Sequence, residues 1–300
     1  MIEPGELRAL EDEVSVALAT RDAGRLPLLG HGEISLVLGW PPGAPRVACK
    51  RLPPFRDVAA FQRYAAVVGR YIDELRAGGV RVVETNLHHL VRPDGRVVGF
   101  HVQPALPPQA LGTDVLRQVD ASHGHPVLGA VADAVAGVTH PRLGVDAQLS
   151  NWAWLDGEPW QLDLTTPFLL DEQSRPLFDL TPFLDVLPAP VRPLVHREMV
   201  RLIRRWTTAR GALLDMTASL LKERLDRWVD PVLTEVNARV TPPISPDEAA
   251  RVYHSDRRLW PLLFRLERAN RWWQTNVRRR PFEFLVPERT TYEEAVAGRG

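Results

Sequence analysis

The sequence contains a single cysteine and almost no lysine. Cys49 is the one cysteine among 300 residues, which excludes an intramolecular disulfide framework and a CxxC metal site. Of the 37 basic residues only two are lysines, Lys50 and Lys222, and all others are arginines. Because arginine serves here as the general surface cation, a lysine at a particular place is expected to be there for its compact ammonium group. We expect this of Lys50, whereas Lys222, in LLKERLDRW, is predicted to lie on the solvated face of a helix.

The chain also lacks excess charge and long apolar runs. Its 37 basic residues balance 37 acidic residues, which argues against a general nucleic-acid binder. No run approaches the ~18 apolar residues of a membrane span, and the acidic, amphipathic start does not resemble a signal peptide. We therefore expect a cytoplasmic protein with no membrane span and no nucleic-acid partner. A 45% apolar composition allows one large domain or two lobes.

Periodicity and turn residues predict an α+β fold whose strands come mainly in the first 106 residues. Three prolines in QPALPPQALG then end this pattern, and most of the later sequence has helical periodicity. The sequence thus predicts a boundary near residue 106, with units at 1–106 and 107–300. Strands are predicted within 26–40 (two), 46–52, 80–91 and 96–106, and helices at 5–20, 57–77, 125–140, 194–209, 211–229, 230–239 and 256–276.

The segment GHGEIS (30–35) lies between the first two predicted strands. Glycines such as Gly30 and Gly32 let backbone amides approach a phosphate closely, although a bare GxG is more often an ordinary hairpin turn. Lys50 follows on the next predicted strand, where Val47 and Cys49 face one way and Ala48 and Lys50 the other. A lysine placed after a glycine turn in this manner could bring its ammonium over nucleotide phosphates.

The segment LGVDAQLSNWAWLDGEPWQLDLTTP (143–167) carries the most informative polar residues. Asp146 precedes Asn151 by five positions, and Asp163 follows a predicted hairpin around Asp156–Gly157. Two carboxylates and an amide supply the hard oxygen ligands that suit Mg²⁺, which takes its remaining ligands from water and substrate phosphates. Asp and Asn are also common loop residues, so this spacing alone is a weak signal.

Taken together, these motifs resemble the protein-kinase-like superfamily, and most closely its aminoglycoside phosphotransferase-like branch, over residues 26–170. The resemblance implies a bilobal fold, with a five-stranded antiparallel sheet and one helix in the first lobe and a mainly helical second lobe. It also implies ATP and Mg²⁺ as cofactors and a small-molecule or peptide hydroxyl as acceptor. The implied roles are nucleotide cover for Gly30, Gly32 and Ser35, phosphate binding for Lys50, adenine contact at a hinge for Gln103 and Ala105, catalytic base for Asp146, and metal binding for Asn151 and Asp163.

Two departures from that pattern favour an alternative, a kinase-like binding or scaffold protein that transfers no phosphate. Gly144–Val145 stands where the superfamily usually has a histidine before the catalytic aspartate. The helix after Lys50 offers no early acid to pair with the lysine, and only Asp73 and Glu74, near its far end, or the polar Gln62 and Tyr64 remain as partners.

Three other segments have less specific sequences. The arginine- and tryptophan-rich stretch at 256–281 could bind a polyanion, a membrane surface or an acidic peptide, but an amphipathic helix packing its Leu, Phe and Trp face is the favoured interpretation. His88–His89 is expected on a strand surface rather than in a metal site. Thr165–Thr166 is expected to be a strand-to-loop transition.

Overall fold

A five-stranded antiparallel sheet and two flanking helices form the first part of the protein, in a computed structural model that describes residues 2–24, 26–31, 35–107, 109–279 and 282–284. The spatial order of the strands is β1-β2-β3-β6-β5, all neighbours being antiparallel. This confirms the predicted α+β class and the five-stranded antiparallel sheet. The strands are Leu28–His31 (β1), Leu36–Trp40 (β2), Val47–Arg51 (β3), Asn86–Val91 (β5) and Val97–Pro104 (β6).

Helix α1 (Pro4–Thr20) covers one face of this sheet. Its first turn is closed by a capping box between Glu3 and Glu6, in which each side chain accepts from the other residue's backbone. Leu7, Leu10 and Val14 recur at helical spacing and are buried against the sheet. On the sheet side this core contains alternate residues of each strand, including Leu36, Leu38, Val47, Cys49, Phe100 and Val102.

Helix α2 (Val58–Ala77) lies on the opposite face and connects the sheet to the helical part. The Asp57 carboxylate caps its first turn by accepting from Ala60 N at 2.7 Å. The helix presents Phe61, Tyr64, Val68, Tyr71 and Leu75 to the main core. Phe61 packs so tightly on the sheet that a Cβ added to Gly99 would lie 2.6 Å from its ring. The chain leaves α2 through Gly79, whose positive φ of 84° favours glycine.

The segment predicted as one strand at 80–91 is two strands in separate sheets. Arg81–Val82 (β4) pairs in parallel with Glu158–Gln161 (β8), which forms the predicted hairpin with Trp152–Leu155 (β7). The β4 partner lies about 80 residues away along the chain, so local alternation could not reveal the break. The pairing fixes the Asp163 hairpin beside the end of α2.

Helices make up most of the described chain after β6. Helix α7 lies in the middle, packing against α4, α6, α8 and α9, and is buried on nearly every side. The helices are Gly112–Gln118 (α3), Pro126–Val138 (α4), Thr181–Leu184 (α5), Arg192–Trp206 (α6), Ala209–Lys222 (α7), Val229–Asn237 (α8) and Pro246–Trp272 (α9). No helix among the described residues is long and apolar enough to cross a membrane.

Helix α9 begins ten residues earlier than predicted and continues into a π-helical turn at Trp273–Val277. The Ser245 hydroxyl caps its first turn by accepting from Glu248 N at 3.2 Å. The favoured interpretation of this stretch is wrong for its tryptophan pair. Phe264 is buried, but Trp272 and Trp273 are 61% and 50% exposed.

Cys49 lies in the core between α1 and the sheet, with no exposed surface. Burial, aided by the negative charge of Glu6, raises the pKa of its thiol to about 12. Since the thiolate is the reactive form, we expect the folded protein not to react with dithiobisnitrobenzoate at about pH 8. In denaturant one thiol per chain should react at the rate of a free cysteine. Rapid reaction of the native protein would contradict the packing of α1 on β3.

Candidate functional site

An ion pair joins the sheet to the helical part. Lys50 Nζ lies 2.7 Å from Asp163 Oδ2, although the two residues are 113 positions apart in sequence. Strand alternation turns Lys50 away from the Cys49 core, as predicted, and toward the end of the β7–β8 hairpin. Thr165 N donates to the other carboxylate oxygen at 2.9 Å. Burial opposes ionisation of Asp163, but the Lys50 ammonium and these hydrogen bonds hold its pKa well below the usual range.

Asp146 is held on a loop by hydrogen bonds to each of its oxygens. Gln148 N donates to Oδ1 at 2.9 Å, and Asn151 Nδ2 donates to Oδ2 at 2.8 Å. The Trp152 indole donates to the Asp146 backbone carbonyl at 2.8 Å. Burial, together with the negative charges of Asp215 and Asp163, raises the pKa of Asp146 to about 8. A nearby positive charge would therefore favour its ionised form.

The three residues predicted for base and metal chemistry come together. Asn151 contacts Asp146 directly, and its backbone carbonyl accepts from Leu162 N, one residue before Asp163, at 2.9 Å. Asp163 lies within electrostatic reach of Asp146 and of Tyr71, whose hydroxyl donates to the Gly144 carbonyl at 3.1 Å. The loop, the hairpin and α2 thus fix one acidic cluster around these side chains.

The donor set fits a hard cation that keeps other ligands. Among the described residues no group of three or more His, Cys, Asp or Glu side chains could hold a metal. Asp163 and Asn151 nevertheless supply carboxylate and amide oxygens, which suit Mg²⁺ bound mainly through water and phosphates. Beside them the Gln161 Oε1 atom is buried and accepts no hydrogen bond, so the cluster contains an unsatisfied oxygen.

Tyr64, rather than an acid, occupies the position on α2 that faces the site. Its hydroxyl donates to the Thr165 carbonyl at 2.8 Å and lies 2.9 Å from His101 Nε2. Since the single hydroxyl proton is used on the carbonyl, the ring nitrogen must be the donor, which assigns a proton to Nε2 of His101. Burial and the positive charge of Lys50 lower the pKa of His101 to about 3, in agreement with a neutral ring. Glu74 instead pairs with Arg70 at 2.7 Å.

Lys222 was wrongly predicted to be a solvated helix residue. Only 8% of it is exposed, and its Nζ lies 3.4 Å from Gln148 Oε1. The same Gln148 amide donates to Asp215 Oδ2 at 3.0 Å, so α7 holds the Asp146 loop through both ends of one side chain. Arg205 donates to the other Asp215 oxygen at 2.9 Å. The positive charge of Lys222 favours the ionised form of Asp146 and lowers its pKa.

Sequence reasoning therefore missed three polar neighbours of Asp146, which are Gln148, Asp215 and Lys222. The sequence contains one signal that could have identified Lys222. Lysine occurs only twice in the chain; Lys50 pairs with Asp163, and Lys222 contacts Gln148 of the Asp146 loop. Because lysine is rare in this chain, Lys222, like Lys50, is expected to be present for its compact ammonium group.

The residues expected to contact the nucleotide lie in different surroundings, and one of them is outside the described residues. Gly30 lies on β1 opposite Val37, Ser35 is buried just before β2, and Gly32 lies outside the described residues. The Gln103 amide donates to Thr85 Oγ1 at 2.9 Å and to the Leu162 carbonyl at 2.8 Å, which ties β6 to the hairpin. Ala105 N donates to the Arg46 carbonyl at 2.9 Å. That N–H is therefore not available to an adenine base unless this bond breaks.

A cavity of about 450 Å³ lies elsewhere, between α5, the β5–β6 turn and a wall formed by Gln274, Arg278, Phe282 and Glu283. It is lined by Arg96, Arg192 and Glu283 but by none of the acidic cluster. Arg192 pairs with Asp185 at 2.5 Å and Arg96 pairs with Glu283 at 2.9 Å. Because these charges already have partners, the cavity is a weaker candidate than the cluster around Lys50 and Asp146.

The Asp146 loop packs directly on the end of α6, which gives a test of its position. A Cβ at Gly144 would lie 2.7 Å from the Trp206 carbonyl oxygen, whereas a Cβ at Gly137, on the exposed face of α4, meets nothing within 4 Å. We expect Gly144→Ala to lower the free energy of unfolding by about 1–3 kcal/mol, because backbone must move. Gly137→Ala should raise it by about 0.5–1 kcal/mol. Urea unfolding measures both, and equal effects would contradict this packing.

A family model described as a family of unknown function (DUF6206) matches residues 9–271, so the chain belongs to this family. No curated protein sequence matches the chain. The matched span includes both lysines and the whole acidic cluster. As the family description states no activity, the chemistry must be argued from the site.

Proposed function

We propose that the protein is an ATP- and Mg²⁺-dependent phosphotransferase with a kinase-like bilobal fold, closest to the aminoglycoside phosphotransferase-like branch. It would transfer the γ-phosphoryl group to a hydroxyl of a small molecule, or to a Ser or Thr of a peptide. The observation that carries the proposal is the 2.7 Å pair between Lys50, on the sheet, and Asp163, beside the Asp146–Asn151 loop. Phosphoryl transfer depends mainly on positioning and charge neutralisation, and this cluster supplies groups for both.

Each residue has one role in this proposal. Lys50 binds phosphate oxygens, while Asp163 and Asn151 would hold Mg²⁺, which neutralises charge on the phosphates when bound. The acceptor oxygen forms a bond to the γ-phosphorus as the bond to the ADP oxygen breaks, and the acceptor proton passes to the Asp146 carboxylate. Lys222, through its charge, favours the ionised form of Asp146 that this step requires and offsets part of the rise in pKa that burial causes. Gln148 positions the loop on α7.

A kinase-like binding protein that transfers no phosphate remains the second candidate. Two observations favour it: Ala105 N is already bonded to the Arg46 carbonyl, and Tyr64 stands where an acid would pair with Lys50. The two candidates differ in a measurable way. Only the enzyme requires Asp146 as a proton acceptor, whereas a binding protein could still bind nucleotide.

Thermal unfolding with ATP, with Mg²⁺ and with both tests nucleotide binding. We expect a stabilisation only when both are present, of about 2.7 kcal/mol at 100 times the Kd. Asp163→Asn and Lys50→Met should abolish this ligand-induced shift, each compared with its own ligand-free protein. The matched controls are Asp12→Asn and Arg197→Met, which change exposed residues on α1 and α6. A shift that survives in Asp163→Asn would refute its role, and no shift in the wild type would favour the second candidate.

Asp146→Asn separates transfer from binding. The amide keeps the size of the side chain but cannot accept the acceptor proton, so we expect a loss of about 10²–10⁴-fold in ADP formation. The nucleotide-dependent thermal shift should persist. ADP release is measured against separate pools of hydroxylated small molecules and Ser/Thr peptides, with Asp12→Asn as the control. Equal turnover by Asp146→Asn and wild type would eliminate Asp146 as the base.

A further inference from the structure

Helix α9 carries a second apolar face that points away from the protein. Its inner face packs on α7 with Phe264, Glu267 and Asn270 buried, and the Asn270 amide donates to the Val186 carbonyl at 2.8 Å. Of the nine large hydrophobic side chains exposed among the described residues, five lie between positions 259 and 277. They are Leu259 (44% exposed), Leu262 (52%), Trp272 (61%), Trp273 (50%) and Val277 (47%).

These residues form a continuous stripe rather than scattered contacts. Leu259, Leu262, Leu266, Ala269 and Trp273 follow one another at spacings of three and four; all are exposed except Leu266, which is half-buried and also packs against the main core. We call this set, with Val277 and the neighbouring exposed Trp272, the outer stripe. It extends for about 27 Å along the helix. Isolated apolar side chains on a surface are ordinary, but a contiguous stripe of this length marks an interaction surface.

The charge around the outer stripe is of one sign. Residues 257–279 contain seven arginines and one acid, Glu267, which is buried on the inner face; Arg257, Arg268 and Arg271 make contacts within the protein. Arg265, Arg278 and Arg279 are exposed beside the stripe or at its end. An occupant of this surface must therefore be apolar at its centre and negatively charged around it.

A second copy of the chain does not satisfy this requirement. A two-fold interface would place the outer stripe against itself and bring the arginines of both copies together. Like charges facing each other across an interface cost several kcal/mol. A flat surface of negative headgroups over hydrocarbon instead complements both the arginines and the stripe, and tryptophan side chains favour that boundary.

We propose that the outer stripe of α9 binds the surface of anionic lipid membranes, with the helix lying in the plane of the headgroups. Trp272 and Trp273 insert their rings, and the flanking arginines contact lipid phosphates and carboxylates. The site depends on α9 alone, so it holds whether or not the acidic cluster transfers phosphate.

Co-sedimentation of the full chain with vesicles tests this. We expect the protein to pellet with vesicles of phosphatidylcholine and phosphatidylserine in equal parts, and not with phosphatidylcholine alone. Replacing Trp272 and Trp273 by serine should weaken binding at least about tenfold, with an unchanged unfolding temperature because both are exposed. Arg265→Gln should weaken it about fivefold, and added salt should weaken wild-type binding. Leu194→Ser, which changes a 54% exposed leucine on α6, should have no effect.

Four outcomes would overturn the proposal. The proposal is wrong if the wild-type protein stays in the supernatant with anionic vesicles. It is also wrong if the double tryptophan variant still binds them. A dimer in light scattering that the double variant abolishes, without vesicle binding, would assign the stripe to a second copy. Binding to soluble polyglutamate, again without vesicle binding, would assign it to an acidic protein.

Discussion

The ion pair between Lys50 and Asp163 is the contact on which the rest of the site depends. It joins a strand of the five-stranded sheet to the end of the β7–β8 hairpin, which belongs to a different sheet. The strand is also held from its other face, where Arg51 pairs with Glu11 at 2.7 Å and contacts Glu283 at 3.3 Å. A partly buried ion pair adds little net stability, because desolvation offsets the attraction. The pair is therefore expected to contribute little to stability, and its position next to Asp146 and Asn151 is the observation on which the phosphotransferase proposal rests.

Local patterns in the sequence were sufficient for most of the fold. The helical spacing of Leu7, Leu10 and Val14 and the glycines that end α2 are local signals, and both helices lie where these predict. The β7–β8 hairpin follows in the same way from its Asp156–Gly157 turn, where both residues have positive φ. The break between β4 and β5 was not predictable, because it is decided by pairing with β8 from a distant part of the chain.

In the candidate site, too, some residues were predictable from local sequence patterns and others were not. Lys50, Asp146, Asn151 and Asp163 are candidates from the sequence because their order and spacing resemble the protein-kinase-like pattern, and the structure brings them near one another. Asp215 and Lys222 could not, because on a helix with polar residues at regular positions a solvated face is the usual explanation. In the structure α7 is surrounded by other helices, and its Asp215 and Lys222 side chains meet Gln148 of the Asp146 loop instead of solvent. Whether a helix is central depends on the packing of all the others, and no single-segment pattern contains that information.

Balanced net charge describes this protein poorly, because the charge is not evenly distributed. Residues 257–279 hold seven of the 37 basic and one of the 37 acidic residues, so the rest of the chain has 30 basic against 36 acidic side chains. Near an anionic surface this separation acts as an orienting force, since the remainder is repelled while residues 257–279 are attracted. The force is long-ranged at low salt and the apolar stripe acts only on contact, so attraction would set the orientation before the tryptophans insert. A protein held in this way would present the same side to the surface at every encounter, and α7, which contacts both α9 and the Asp146 loop, would connect that side to the candidate site.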